Sequence, residues 1–200
     1  MPKPPESPDS PRRILGIDPG LQVAGYAVLE ASANGPLIRD AGVVRSDKTE
    51  TPDMARRLKT LHDGICEVLD EWRPAVMVVE QLYAHYEHPR TAILMGHARG
   101  TFLLAGAQRG IPVLSYASTK VKKLITGNGR AGKEQMQYAV ARELGLARLP
   151  EPHDVADALA IALCHYFASD GPLRGPRSAT FTGVNAAALL GTDPDEFEDE

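Results

Sequence analysis

Four acidic residues in this chain occupy positions where acids are hard to explain as surface decoration. Asp18 closes the apolar run Ile14-Leu15-Gly16-Ile17 and is followed by Pro19-Gly20, while Glu80 closes Ala75-Val76-Met77-Val78-Val79. Asp154 and Asp157 stand three residues apart at the start of a segment that is otherwise apolar from Val155 to Leu163. An isolated charge in apolar surroundings costs several kcal/mol or takes up a proton, so each of these carboxylates needs a partner. A divalent cation is one such partner. The turn amides after Asp18, and the N-terminus of a helix beginning at Asp154, are the alternatives. Neither alternative accounts for Asp157, which lies one helical turn inside an apolar segment on the same face as Asp154. Together the four acids suit two divalent cations about 4 Å apart, which activate water and stabilise the leaving oxygen in phosphodiester hydrolysis. An all-oxygen donor set favours Mg²⁺, with Mn²⁺ as a substitute. His153 precedes the pair and can ligate a metal or accept a proton; the alternative is a plain solvent-exposed position before the helix.

The elements that must carry these acids are legible from pattern. Asp18 ends a buried strand that turns at Pro19-Gly20, and Val23 to Glu30 and Leu37 to Arg45 read as two further strands of an antiparallel meander. Gly25 within the second strand points to a bulge or a close backbone approach, which would suit a ligand over the strand ends. Thr51-Pro52-Asp53 opens a helix in which Met54, Leu58, Leu61, Ile65, Val68 and Leu69 recur at spacings of three and four, ending at Trp72-Arg73-Pro74. The uninterrupted apolar run before Glu80 is the mark of a central parallel strand. A site at one sheet edge follows, because two buried strands that each end in an acid place their carboxyl ends together. Arg90 to Arg109 reads as a helix with Gly96 and Gly100 on one face, Pro112 to Tyr116 as a last strand, and Ser118 to Ile125 as a short helix. Next come the basic, mobile loop Gly127-Asn128-Gly129-Arg130-Ala131-Gly132, a helix from Lys133 to Leu144, and a buried helix from Asp154 to Phe167.

Composition sets the outer bounds. Two hundred residues are the size of one ordinary domain, which we place at residues 13–170. Met1 to Pro11 holds five prolines, so residues 1–12 read as a disordered arm, and residues 171–200 as a disordered acidic tail. No run approaches the roughly 18 apolar residues of a membrane span, and the first residues have no apolar centre for a signal peptide. A cytosolic protein with no membrane partner is expected, and Cys66 and Cys164 read as small core residues, not as a disulfide. The net charge of -4 hides an uneven distribution. Between His85 and Arg142 nine basic residues face only Glu87 and Glu134, whereas Asp193 to Glu200 carries six acids. The middle of the chain is therefore locally basic, as a nucleic-acid surface requires, although lysines and arginines on solvated helix faces would give a similar count.

These residues resemble a family. The blocks Ile14-Leu15-Gly16-Ile17-Asp18-Pro19-Gly20 with Gly25-Tyr26, Val79-Glu80-Gln81, Gly96-His97-Ala98-Arg99-Gly100 and Asp154-Val155-Ala156-Asp157-Ala158-Leu159-Ala160 are similar, in this order, to those of the RuvC family of bacterial Holliday-junction resolvases, over about residues 13 to 168. The resemblance implies an α/β, ribonuclease H-like fold with a mixed five-stranded sheet flanked by helices. It also implies a homodimeric endonuclease that makes paired, symmetric nicks in four-way junction DNA beside the branch-migration proteins RuvA and RuvB. Asp18, Glu80, Asp154 and Asp157 fall on the family's acidic metal-binding positions. Lys122 and Lys133 fall where the family places basic residues near the junction backbone, with Arg130 in the basic loop between them, and Tyr83 matches an aromatic that stacks at the crossover. The Pro-rich arm, a loop before Gly96 that is a residue longer, and the tail after Asp170 depart from the family pattern.

The same first motif, Asp-x-Gly, occurs in RNA-processing nucleases of the RuvX type, which would lack the complete set of blocks, and in actin-like ATPases, which need a second phosphate loop and a much longer chain. A catalytically silent nucleic-acid-binding module is the reading from a different class. For the homodimer, the helix Arg90 to Arg109 is the candidate contact, with Gly96 and Gly100 permitting close approach and Ile93, Leu94 and Leu103 supplying apolar area; ordinary packing of those glycines on the sheet is the alternative.

Overall fold

The structure, a computed structural model, describes residues 12–46, 53–82 and 89–169. The expectations for the N-terminal arm before Arg12, for the tail 171–200 and for Tyr83 lie outside the described residues.

Alternation along one short strand sets the architecture. In β1 (Arg13–Asp18), Leu15 and Ile17 face one side of the sheet, and Ile14, Gly16 and Asp18 the other. Both sides are covered, with Leu15 and Ile17 fully buried and Ile14 nearly so. β2 (Val23–Ser32) pairs antiparallel with β1, placing Gly25 opposite Asp18. β3 (Gly35–Arg45) pairs antiparallel with β2, with a register shift between Val28 and Leu29. The extra residue at that shift is Arg39, so the bulge lies in β3 and not at Gly25. Asp53 accepts hydrogen bonds from the Ala55 and Arg56 amides (2.9 and 3.4 Å) and caps α1 (Met54–Trp72). Arg73, in the left-handed region at φ 45°, ends that helix. The chain then enters β4 (Val76–Gln81), parallel to β1 with Ile17 beside Val79.

After α2 (Pro89–Gln108), β5 (Val113–Ala117) joins parallel to β4. The sheet order is β3-β2-β1-β4-β5. The expected mixed five-stranded sheet flanked by helices is the fold observed. α3 (Ser118–Thr126), α4 (Lys133–Glu143) and α5 (His153–Ala168) complete the chain.

The two faces of the sheet carry separate cores. α1 and α2 cover one, packing Leu61, Ile65, Leu69, Ala98, Phe102 and Ala105 on Leu15, Ile17, Met77 and Val79. A bidentate pair between Asp70 and Arg109 (2.6 and 2.7 Å) ties α1 to the end of α2. α3, α4 and α5 cover the other face, where Ala158, Leu159 and Ile161 to Cys164 meet Ile14, Ala27, Leu29 and Val78. Here the helix backbone itself reaches the sheet. A Cβ at Gly16 would lie 2.3 Å from the Ala158 carbonyl oxygen, and one at Gly25 would lie 1.9 Å from that of Asp154. Gly25 therefore makes the close approach its type suggests, but its neighbour is α5, not a ligand over the strand ends.

Candidate active site

Strand alternation delivers the first two acids. Asp18 follows Ile17 in β1 and Glu80 follows Val79 in β4, so the parallel Ile17 and Val79 pairing sets the two carboxylates side by side on the α5 face. The close seat of α5 on Gly16 and Gly25 then lowers its first turn, with Asp154 and Asp157, onto the same sheet edge. All four predicted acids are brought together.

Their electrostatics express that crowding. Burial first, then the negative charges of Glu80, Asp157 and Asp154 and a hydrogen bond with Glu80, push the Asp18 carboxyl up to about 8. Burial likewise raises Glu80, against a hydrogen bond from Ser118; the charge of Asp157 adds to the rise, and Asp18 and Lys122 oppose it. Burial raises Asp157 as well, and Asp154 adds to this, while Lys133, Lys122 and His153 pull the other way. Lys122 and Lys133, expected near a DNA backbone, thus also face the acids. His153 is exposed at the start of α5. Arg130 is exposed in the turn between α3 and α4, where its amide donates to the Asn128 side chain (2.9 Å) and the Ala131 amide to the Asn128 carbonyl (3.2 Å). The loop read as mobile is closed on itself by these bonds.

Glu80, Asp157, Ser118 and Lys122 line one small cleft whose walls are Val121, Met136, Ala160 and Ile161. Among the described residues no three acid, histidine or cysteine side chains already converge at ligation distance. The donor set nonetheless fits a hard divalent cation: it is all oxygen, it lies at the ends of rigid elements, and its carboxyls are pushed up first by burial and then by one another's charge, both of which a bound cation would offset. Sequence reasoning missed two polar partners of Glu80. Ser118 donates to its carboxylate, and Arg99 Nε donates to its backbone oxygen at 2.9 Å. The parallel register of β4 with β5, which pairs Glu80 with Tyr116, is the signal that would have placed Ser118 at this edge.

A profile of the family described as crossover junction endodeoxyribonuclease RuvC matches residues 14–165 of the chain. The chain belongs to the RuvC family. Its match to the crossover junction endodeoxyribonuclease of Rhodopirellula baltica is 49% identical over 166 residues, covering 83% of this chain and 92% of the relative. The corresponding enzyme of Desulforamulus reducens is 44% identical over 154 residues, covering 76% and 91%. Among solved structures, Thermus thermophilus RuvC in complex with a Holliday junction substrate superposes with a TM-score of 0.71 at 34% identity, covering 78% of this chain and 94% of that one. The yeast mitochondrial resolvase Ydc2, at a TM-score of 0.55 and 16% identity, shares the fold. Family membership sets aside the RuvX-type and actin-like readings. No helix among the described residues is long and apolar enough to cross a membrane.

Proposed function

We propose that this chain is a Mg²⁺-dependent crossover junction endodeoxyribonuclease. It resolves four-way DNA junctions in recombination and repair, acts as a homodimer in the cytoplasm, and makes paired symmetric nicks beside RuvA and RuvB. The observation that carries this reading is the meeting of Asp18, Glu80, Asp154 and Asp157 at one sheet edge in a chain of the RuvC family. Asp18, Glu80, Asp154 and Asp157 would together hold a pair of Mg²⁺ ions, which Mn²⁺ can replace. When bound, the ions supply activation of water and stabilisation of the leaving oxygen.

The chain's own residues do the rest. β1 and β4 fix two carboxylates with the rigidity of a central parallel pair, and Gly16 and Gly25 seat the helix that brings the other two. Lys122 and Lys133, whose charges act on the acids, anchor the phosphate backbone together with the exposed Arg130, and Tyr83 stacks at the crossover. His153, at the mouth of the site, is an accessory group.

For the dimer, α2 offers its outer face. Cβ atoms at Gly96 and Gly100 would meet nothing within 4 Å, and Ile93, Leu94 and Leu104 are exposed at 61%, 37% and 53%. Leu103, expected on this face, instead packs partly into the core beside Phe102. The two glycines therefore do not pack on the sheet, and a two-fold contact through this helix would present one active site to each of two strands.

The test is Mg²⁺-dependent cleavage of a labelled four-way junction against a linear duplex of the same sequence. Symmetric nicks in the junction alone are expected, and equal cutting of both substrates, or of neither, overturns the reading.

A further inference from the structure

Glu80 sits one residue before the end of β4, where the register with β1 has already ended at Val79 and only β5 still pairs with the strand, Glu80 lying opposite Tyr116. A side chain from α2 closes that gap. Arg99 Nε donates to the Glu80 carbonyl oxygen at 2.9 Å, and Nη2 of the same guanidinium donates to the Ser115 hydroxyl of β5 at 2.6 Å. The planar fork of arginine can reach two acceptors on neighbouring strands at once, which the point charge of a lysine does less well. Arg99 cannot drift, because Ala98 beside it and Phe102 one turn on are fully buried in the core under α2.

We propose that Arg99 is a positioning residue: its guanidinium locks the end of β4 to β5 and to α2, and so aims the Glu80 carboxylate into the acid cluster. The carboxylate itself has the Ser118 side chain as a hydrogen-bond partner, so Glu80 is contacted at both its backbone and its side chain. The same helix carries the open face of Gly96, Gly100 and Leu104. The inference rests on reading Glu80 as a metal ligand, and the experiment separates the two.

Arg99→Ala, Arg99→Lys, Ser115→Ala and Glu80→Gln are made in the full chain. Mn²⁺ affinity is read without DNA by electron paramagnetic resonance, junction affinity in EDTA by fluorescence anisotropy, and nicking rate as a function of Mg²⁺. Partners that orient a metal ligand typically change metal affinity by about 10-fold or more. Arg99→Ala should accordingly weaken Mn²⁺ binding about 10-fold and raise the half-saturating Mg²⁺ by a similar factor, with junction affinity in EDTA unchanged. Ser115→Ala should shift both in the same direction by less, and Arg99→Lys should fall between wild type and Arg99→Ala. Unchanged Mn²⁺ affinity in Arg99→Ala overturns the proposal, as does a loss confined to junction affinity, which would make Arg99 a DNA contact. If circular dichroism finds Arg99→Ala unfolded, Arg99→Lys and Ser115→Ala decide, and wild-type Mn²⁺ affinity in both overturns it. Glu80→Gln with normal Mn²⁺ binding and nicking would overturn the ligand reading itself. Weakened Glu80→Gln beside unaltered Arg99→Ala would overturn the positioning role alone.

Discussion

The two faces of the sheet are built by different means. Under α1 and α2 the contact is between large side chains, Leu61, Ile65, Leu69 and Phe102 against Leu15, Ile17 and Met77. Under α5 side chains also pack, but here backbones meet as well, with Gly16 beneath Ala158 and Gly25 beneath Asp154. A side-chain interface can relax when one partner is trimmed, because its neighbours have rotamers to spend. A backbone interface has no such slack, so any added atom moves a whole element. The acids are carried on the face without slack, where α5 cannot slide without taking Asp154 and Asp157 with it. The face with slack carries the exposed apolar surface of α2.

The sharpest way to break this contrast is to change a carboxylate on the rigid face without changing its shape. Asp157→Asn should abolish junction cleavage while junction binding in EDTA survives, because a charged ligand is lost but the basic rim remains. Normal nicking by this variant would remove Asp157 from the site.

Stability and function should then separate between the faces. Leu61→Ala, a truncation in the core under α1, should destabilise by about 2–5 kcal/mol yet leave Mn²⁺ affinity intact at temperatures where the protein is folded. Gly25→Ala should destabilise by about 1–3 kcal/mol or more and, unlike Leu61→Ala, also lose most Mn²⁺ binding and nicking, since its methyl must displace Asp154. Chemical denaturation beside metal titration checks the pair, and equal effects of the two on metal binding would erase the distinction.

The pH dependence sharpens it further. The folded-state pKa of Asp18 is raised above its unfolded value, so the unfolded chain loses its proton first and the native state is penalised as pH rises from the ordinary carboxylate range toward about 8. Glu80 and Asp157 are shifted in the same direction. With divalent ions chelated, Asp18→Asn should therefore be more stable than wild type by a margin that grows across this window. A margin that does not change with pH would contradict the crowding of the acids. The smallest effect concerns the rim. Lys122→Ala and Lys133→Ala should each reduce the salt slope of junction binding by about one counterion, and unchanged slopes would move the DNA surface elsewhere.

Much of this was legible locally. The end of β1 at Asp18, the cap at Asp53, the end of α1 at Trp72 and the apolar helix behind Asp154 follow from turn residues and periodicity acting over a few positions. The four acids could be named because each interrupts or ends an apolar segment, where a charge without a partner is costly. What only the tertiary structure decided is which distant residues meet them. Arg99 and Ser118 reach Glu80 because β5 lies parallel to β4 and α2 packs across both. Leu103 turns inward and Leu104 outward because Phe102 anchors the helix on the sheet. Gly25 meets α5 because that helix, read from sequence only as buried, crosses β1 and β2 at backbone contact. Spacing along a chain sets the direction of a side chain relative to its own element, whereas its neighbours depend on how crossovers lay one element over another.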